Sequence, residues 1–332
     1  MPRLRHVTRE ALTIERRRLR SRHEFLLPDG RLVKDAETLT RVRHLGIPPA
    51  WREVRIAADP QAHIQCCGVD AAGRVQYLYH PDWEKRRTRR KQRQLAALAA
   101  TLPRLRRHVR EDLKAEAGSK RLALAIGVAL IDRTAMRVGR ERYLDANGTR
   151  GAGTMFSRDV LVDGGLIAIA FLAKSGKRAT YSLRDEALAD AIARIKTIPG
   201  KRLLMYHGLD GEKRALRTDD INRYLREISG AAVTAKDFRT LHASAMAGEA
   251  LATLEPGGSP TARKRQITEV ARQVAAFLQN TPAITRKSYI APCLLSLFEA
   301  GKLGALWRSA ETGRAGLRQR EARLEAVLGV VG

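Results

Sequence analysis

Short apolar runs separated by turn-forming residues fill the first eighty positions, a pattern typical of antiparallel strands. The clearest runs form two pairs, residues 25–27 with 31–33 and residues 64–69 with 75–79. A Pro-Asp-Gly turn separates the first pair, and an Asp-Ala-Ala-Gly turn separates the second. Each pair predicts a β-hairpin, and Pro81 is expected to end the second one because proline cannot donate to a sheet.

Helical periodicity replaces this alternation beyond Trp83. Residues 122–131 are almost unbroken apolar, too long a run for a typical strand, and predict a buried helix. Apolar residues recur at helical spacing over 267–278. Thr281-Pro282 is expected to end that helix and begin a new segment, because the residue before proline avoids helical angles.

Three further stretches of this helical part differ in pattern. Residues 166–173 and 179–183 flank a Lys-Ser-Gly-Lys turn and predict a hairpin. The glycine-rich stretch 148–153 is expected to be a flexible loop. The last thirty residues are polar, basic and helix-prone, and they indicate no particular function.

These elements predict an α+β chain, with a small β-sheet domain over residues 1–90 and a larger, mainly helical domain with a small sheet over residues 91–332. The boundary is placed in an intensely basic run, Arg86 to Arg93. Such a run allows two interpretations: the solvated face of a helix, or the lining of a channel for a duplex held between the two domains.

The charge of the chain is strongly unbalanced. Lysine and arginine number 62 against 35 acidic residues, which gives a formal net charge of +27 spread along the whole sequence. A folded body tolerates this self-repulsion best when a polyanion neutralises it, so nucleic acid is the expected partner, with an acidic membrane surface second. No apolar run approaches the ~20 residues that span a bilayer, and no signal-peptide core is seen, so a cytoplasmic location is expected.

Several cofactor signatures are missing from the sequence. The cysteines, Cys66, Cys67 and Cys293, are odd in number and show no Cys-x-x-Cys spacing, which favours a reducing compartment and no zinc site. There is no GxxxxGK[ST] phosphate loop, no HExxH motif and no acidic cluster typical of two-metal nucleases. We therefore expect no metal, no cofactor and no ATP requirement.

Breaking a phosphodiester without metal requires a nucleophile, cations around the five-coordinate phosphorus and an acid for the departing alkoxide. Four segments supply such groups: RVGRERY at 137–143, KSGK at 174–177, KDFRT at 236–240 and NTPAITRKSY at 280–289.

Taken singly, the same residues have ordinary structural interpretations. Arg137 can pair with Glu141 one helical turn further on. Lys174 can be a solvated turn residue, and Asn280 can cap a helix. Tyr289 can be a half-buried core residue.

In this order and in one chain, the four segments resemble signatures of the poxvirus-type type IB DNA topoisomerases, in the smaller bacterial branch of that family. The resemblance covers nearly the whole chain and implies a clamp around duplex DNA. It assigns Tyr289 as the nucleophile and Arg137, Lys174 and Arg239 as the cationic members of the site. Asn280 stands where the viral enzymes have histidine, a departure that keeps a hydrogen-bond donor but removes a possible charge and acid.

The resemblance also implies DNA-contacting residues. They are Gln76, Tyr77, Tyr79, Arg140, Tyr143 and Lys236. The first three lie in a QYLY sequence similar to the family's QYxY strand, which contacts bases and phosphates in the major groove. The next two match DNA-contacting positions beside the active site. The lysine stands three residues before the second arginine of the site, where tyrosine recombinases typically carry histidine.

The implied reaction is attack by the Tyr289 oxygen on a scissile phosphate, giving a 3′-phosphotyrosyl link and a free 5′-hydroxyl, with Lys174 protonating the leaving oxygen. Rotation of the free end would relax positive or negative supercoils before religation. A monomer bound to duplex DNA on the nucleoid is expected.

Two alternatives stay open. A tyrosine site-specific recombinase uses similar chemistry, but the β-rich N-terminal domain disfavours it. A basic architectural DNA-binding protein without catalysis explains the charge equally well, but it gives no reason for the site residues to occur together.

Overall fold

A computed structural model of the protein describes residues 3–20, 22–310 and 316–331. The chain divides into two compact units, Met1–Lys91 and Gln92–Gly332. The division falls within a 32-residue helix, Pro81–Asp112, rather than in a linker. The expected α+β class, a small N-terminal sheet followed by a larger helical part, is confirmed.

The N-terminal unit contains one five-stranded antiparallel sheet. Its strands and α-helix are β1 (Ile14–Arg18), β2 (His23–Leu26), α1 (Ala36–His44), β3 (Arg52–Ile56), β4 (Ile64–Val69) and β5 (Val75–Tyr79). The strand order is β2-β1-β3-β4-β5, which leaves β5 at an edge of the sheet.

The predicted hairpin over residues 64–69 and 75–79 is confirmed as β4 and β5. Asp70 fixes its turn, because its carboxylate accepts hydrogen bonds from the amides of Ala72 and Arg74 at 2.9 and 3.0 Å. This local side-chain contact is the reason that the turn could be recognised from sequence.

The other predicted hairpin is confirmed only in part. β2 pairs with β1, and residues 31–33 add a single bridge between Leu26 and Leu32. The sequence did not predict β1, because its IERRR sequence contains one apolar residue and shows no alternation.

Adjacent cysteines on β4 point to opposite faces of the sheet, as successive strand residues do. Cys66 packs in a cluster with Ile14 and Ile56, whereas Cys67 packs with Leu12. Burial raises the pKa of Cys66 to about 12 and also raises the pKa of Cys67. Both side chains therefore remain protonated thiols and act as small core residues.

The second unit combines helices with two small antiparallel sheets. Its helices are α2 (Pro81–Asp112, which begins in the first unit), α3 (Lys120–Thr134), α4 (Glu141–Asn147), α5 (Glu186–Ile195), α6 (Thr218–Ser229), α7 (Ala235–Ala252), α8 (Pro260–Leu278), α9 (Pro282–Ser288), α10 (Pro292–Glu299), α11 (Leu303–Ser309) and α12 (Gln319–Val331). Its strands are β6 (Val160–Asp163), β7 (Leu166–Leu172), β8 (Arg178–Arg184), β9 (Met205–His207) and β10 (Lys213–Ala215). The predicted lysine hairpin and the predicted helix over 267–278 are confirmed as β7–β8 and α8. Among the helices described, none is both long enough and apolar enough to cross a membrane.

α3 is the most deeply buried helix of the site region. Ser119 caps its N-terminus by accepting a hydrogen bond from the Leu122 amide at 3.2 Å. Every residue from 122 to 132 is buried, so the predicted buried helix is confirmed. The helix ends at Ala135, whose left-handed conformation (φ 52°) turns the chain sharply into the next loop.

The stretch 148–153, expected to be a flexible loop, is irregular up to Gly151, but its second half is closely packed. The amides of Ala152 and Gly153 donate to the carbonyl oxygens of Arg137 and Val138 at 2.9 and 2.7 Å, and residues 151–153 are buried. A Cβ atom on Gly151 would collide with the Arg137 carbonyl oxygen. These glycines therefore serve close backbone packing, which holds the loop that carries Arg137.

Candidate active site

Arg239 lies in the second turn of α7 and is only 3% exposed. Its Nη1 donates to the carbonyl oxygen of Ala135 at the end of α3, and its Nη2 donates at 2.9 Å to the carbonyl oxygen of Leu278 at the end of α8. Carbonyls at helix C-termini lack partners within their helix and carry the negative end of the helix dipole. One guanidinium therefore joins two helix ends at the site.

Arg137 follows Ala135 by two residues and is half-buried. Its loop is further held by Thr218, whose hydroxyl donates to the Gly139 carbonyl oxygen at 2.7 Å. The alternative pairing with Glu141 is not formed, because Glu141 lies 3.4 Å from Arg202 instead. Within the described chain, the Arg137 side chain has no hydrogen bond or ion pair, so its charge is not neutralised there.

Tyr289 lies directly after α9, a helix that begins at Pro282 with Thr281 as its cap. The expected break at Thr281-Pro282 is therefore confirmed. Ser244 of α7 fixes the backbone of the tyrosine: its hydroxyl donates to the Tyr289 carbonyl oxygen at 3.2 Å and accepts from the Ala291 amide at 3.0 Å. The helix that carries Arg239 thus also anchors the phenol.

The guanidinium carbon of Arg239 lies 5.0 Å from the centroid of the Tyr289 ring. Burial alone would raise the pKa of Tyr289, but the charges of Arg239, Arg137 and Lys236 outweigh it and lower the pKa below the ordinary 10.0. Burial and the neighbouring Arg137 in turn lower the pKa of Arg239. Three cations therefore act on one phenol, which is the arrangement that favours a phenolate.

A second phenol, Tyr181 on β8, lies near the same arginines, and sequence reasoning missed it. Burial raises its pKa, and the charges of Arg239 and Arg137 offset this only in part. Its ring packs against Phe171, with the centroids 6.1 Å apart. The signal was present in the strand alternation, since exposed Arg178, Thr180 and Ser182 leave residues 179, 181 and 183 on the inner face.

Asn280 is not the cap of α8, because the left-handed residue that ends this helix is Gln279 (φ 50°). The Gln279 side chain donates to the Thr180 carbonyl oxygen at 3.0 Å and ties the helix end to β8. Among the described residues, no partner is found for the buried Nδ2 of Asn280 or for the buried Nε of Arg239. A buried donor without a partner costs ~1–3 kcal/mol. Two such donors therefore lie at this site, available to an acceptor such as a phosphate oxygen.

Lys174 lies in a short 3₁₀ turn, Lys174–Gly176, at the tip of the β7–β8 hairpin, and it is exposed. The described structure records no contact from it to Arg137, Arg239 or Tyr289. The structure therefore gathers the two arginines and the tyrosine, places Asn280 next to the α8 end that Arg239 binds, and leaves the lysine outside this group.

The sequence-predicted contact residues of the N-terminal unit lie on the edge strand β5. Tyr77 and Tyr79 share a face, with ring centroids 6.1 Å apart, and the guanidinium carbon of Arg87 lies 4.9 Å from the Tyr79 ring centroid. The Gln76 amide points elsewhere and donates to Asp70 at 2.8 Å. An aromatic pair beside a basic helix on an open sheet edge is suited to a nucleic-acid contact.

The remaining predicted contacts lie in the second unit. Arg140 is exposed at the N-cap of α4, and Tyr143 of the same helix is 47% exposed. Lys236 is exposed in the first turn of α7, and its charge acts on Tyr289. These side chains therefore lie on elements that adjoin the Arg137 loop or carry Arg239.

Two family models match the chain, one for each of its two units. Bacterial DNA topoisomerase IB, N-terminal domain, matches residues 22–70, and Eukaryotic DNA topoisomerase I, catalytic core, matches residues 80–292. A relative, DNA topoisomerase 1B of Acanthamoeba polyphaga mimivirus, is 30% identical over 274 residues, which cover 80% of this chain and 81% of the relative. The chain belongs to the type IB DNA topoisomerases, a family of isomerases.

Proposed function

We propose that this protein relaxes supercoiled duplex DNA by transient cleavage of one strand, with Tyr289 as the nucleophile. The observation that carries the proposal is the phenol beside Arg239, Arg137 and Lys236, whose charges lower its pKa despite burial. Attack on the scissile phosphate forms a bond from the Tyr289 oxygen to phosphorus and breaks the bond to the 5′ oxygen. The products are a 3′-phosphotyrosyl link and a 5′-hydroxyl.

The cations have two tasks in this reaction. A free phenol with a pKa near ~10 is only about 0.1% ionised at pH 7, so full ionisation requires roughly 4 kcal/mol. Arg239 and Arg137 supply part of this in the ground state and the rest as charge moves to the phosphate oxygens. Their planar groups can donate paired hydrogen bonds to those oxygens, and Asn280 adds a neutral donor.

Lys174 is proposed as the acid that protonates the 5′ oxygen as it leaves. Unlike arginine, which stays charged, lysine can give up a proton to a basic leaving oxygen. Its place at an exposed hairpin tip requires the hairpin to meet the DNA before it can act. Lys174→Ala should therefore cleave slowly, and a substrate with a sulfur 5′ leaving group should restore the rate because sulfur needs no acid. A variant that stays slow on that substrate would remove Lys174 from this role.

The covalent link conserves the energy of the broken phosphodiester, so religation is the reverse reaction and needs neither ATP nor metal. Torsion in the duplex drives rotation of the free end while the strand is open. We propose that the two units clamp the duplex, with Gln76, Tyr77 and Tyr79 in the major groove and Arg140, Tyr143 and Lys236 at the scissile site. A net charge of +27 suits a monomer working on the DNA of a bacterial cytoplasm, and its affinity should fall steeply with salt.

The test is an adduct assay with Tyr289→Phe, which should bind duplex DNA normally and form no covalent complex. Tyr206→Phe, a half-buried phenol outside the site, is the matched control and should form adducts at the wild-type level. Adducts from Tyr289→Phe would reject the nucleophile. Plasmid relaxation should continue in EDTA, and strand exchange between paired sites would indicate a recombinase instead.

A further inference from the structure

A buried ionic network lies one helical turn from the contact between Arg239 and Ala135, and none of its four residues has a part in the chemistry proposed above. It consists of Arg106 on α2, Asp132 on α3, His242 on α7 and Glu321 on α12. Asp132, His242 and Glu321 are at most 1% exposed, and the Arg106 side chain is 12% exposed. We call these four residues the Arg106 network.

Arg106 is saturated by its partners. Its Nε and Nη2 donate to Asp132 at 2.8 and 2.9 Å, and its Nη1 and Nη2 donate to Glu321 at 2.7 and 2.9 Å. Its Nη1 also donates to the Gly316 carbonyl oxygen at 2.8 Å. All five N–H donors of a guanidinium are thus used.

The same residues do not form a cation cage. Ligand atoms of Asp132, His242 and Glu321 lie within 4.8 Å of one another, a spacing that a metal ion could bridge. Arg106 already takes both carboxylates, however, and its positive charge occupies the position that an ion would need. Arg106 and the two carboxylates therefore connect α2, α3 and α12 by hydrogen bonds, and His242 of α7 lies against the carboxylates at 3.5 Å from Asp132 and 3.8 Å from Glu321.

This network adjoins the contact between α3 and α7 that also holds Arg239. Asp132 faces His242, with 3.5 Å between Oδ1 and Nε2. Ala135, the C-cap of α3, follows Asp132 by three residues, and Arg239 precedes His242 on α7 by three residues. The Arg239 guanidinium donates a hydrogen bond to the Ala135 carbonyl oxygen. Residues three apart share a helix face, so the two contacts are neighbours one turn apart.

We propose that the Arg106 network is a positioning device for catalysis: Glu321 of α12 holds Arg106 against Asp132, and the adjoining contact between α3 and α7 thereby presents Arg239 to the phenol. This inference rests on the proposed function of Tyr289. The family match to the catalytic core ends at residue 292, so the C-terminal helix lies beyond it. A segment that sequence left without a role thereby becomes part of the reaction machinery.

The expected effect is on rate and not on binding. The network touches neither the exposed faces proposed to meet DNA nor the phenol itself, so it acts only through the position of Arg239. A displacement of about 1 Å at a catalytic group can cost about 10²-fold in rate. Loss of one carboxylate would relax the contact between α3 and α7 by less than that, so we expect a slowing of about tenfold.

The experiment compares Glu321→Gln with Leu328→Ala, a buried apolar residue on the same helix. Both variants should lower the Tm, and cleavage is measured as a single-turnover rate constant on saturating duplex, well below either Tm. Glu321→Gln should cleave about tenfold more slowly with unchanged DNA affinity, and Leu328→Ala should cleave at the wild-type rate. If Glu321→Gln does not fold, Glu321→Asp replaces it, because it keeps the charge and withdraws the carboxylate by one methylene.

The decisive comparison repeats the substitution in an Arg239→Ala background. If Glu321 acts through Arg239, Glu321→Gln should slow the wild type but add almost nothing to Arg239→Ala. Equal slowing in both backgrounds, or slowing by Leu328→Ala as well, would overturn the inference. Failure of the proposed function would look different, since the wild-type protein itself would then form no tyrosine adduct.

Discussion

Two arginines in the interior of the helical unit, Arg106 and Arg239, have opposite surroundings. All the N–H donors of Arg106 are hydrogen-bonded within the protein, and two of its partners are carboxylates. Their effect outweighs that of burial and raises the pKa of Arg106. Arg239 faces two helix-end carbonyls and a second arginine, and its pKa is lowered by burial and by that neighbour. The first guanidinium is complete without a ligand, whereas the second retains a buried donor without a partner in the described chain.

The difference shows how one kind of side chain serves structure in one place and chemistry in another. A buried charge is tolerated when partners neutralise it and becomes costly when they do not. A protein that must bind a phosphate cannot neutralise the groups that bind it. Among the described residues, no carboxylate pairs with Arg239, which is what the proposed phosphate-binding role requires.

The largest expected effect comes from removing Arg106, the arginine whose charge is neutralised by buried carboxylates. Arg106→Ala would leave Asp132 and Glu321 buried without their common partner, which should cost about 3–5 kcal/mol of unfolding free energy. Urea unfolding at pH 7 measures it, and Leu102→Ala on the same helix gives the cost of an ordinary cavity.

The acid sensitivity of that variant's stability should also be weaker than in the wild type. In the wild type, His242 and Arg106 lower the pKa of Asp132, and Arg106 and Arg318 lower the pKa of Glu321, in both cases against the effect of burial, so the contribution of these carboxylates to stability is present at neutral pH and lost as pH falls through those low values. Without Arg106, burial still raises both pKa values while only His242 and Arg318 remain to lower them, so the variant should lose less stability than the wild type as the pH falls. A variant that weakens with acid like the wild type would contradict this account.

The next largest effect comes from removing Arg239, the arginine without a carboxylate partner among the described residues. Arg239→Ala should lower the single-turnover cleavage rate about 10²–10³-fold, the usual cost of one preorganised donor. Because Arg239 is the strongest of the cations that lower the pKa of Tyr289, the rate should also level off at a higher pH. Arg272→Ala, which removes a surface cation paired with Glu269, should keep the wild-type profile. If Arg239→Ala cleaves more slowly but keeps the wild-type dependence of rate on pH, Arg239 acts on the phosphate and not on the ionisation of Tyr289.

The smallest effect concerns the neutral donor of the site. Asn280→Ala should slow cleavage about tenfold, the equivalent of one hydrogen bond, and should raise the unfolding free energy by up to about 1 kcal/mol because it removes a buried donor without a partner. Cleavage and unfolding measurements on one preparation separate the two. If both the stability and the cleavage rate are unchanged, the Asn280 amide does not bind the phosphate, and its burial does not destabilise the protein.

Local patterns allowed much of the fold to be predicted from the sequence. The β4–β5 turn, the buried run of α3 and the proline that opens α9 each depend on neighbouring residues, so each could be recognised without a structure. The order of the four motif segments likewise indicated Arg137, Arg239 and Tyr289, which the structure brings together.

What could not be predicted depends on contacts between distant residues. Arg106 and Glu321 are 215 positions apart, and neither lies in a motif. The glycine-rich stretch before Met155 looked flexible because its packing partner is the backbone of another loop, which carries no sequence signal. Lys174 shows the converse: a motif identified it, but its place at a hairpin tip leaves its role to be tested with DNA.

The anchoring of one guanidinium to the ends of α3 and α8 has a consequence for genome integrity. In the proposed mechanism the same donors stabilise the pentacoordinate phosphorus during cleavage and religation, so substitution of Arg239 would slow both steps together. The same damage would also separate the two helix ends that it joins. Mutation at this position would therefore yield an inert protein rather than one that opens strands and abandons them, a safe way for a strand-breaking catalyst to fail.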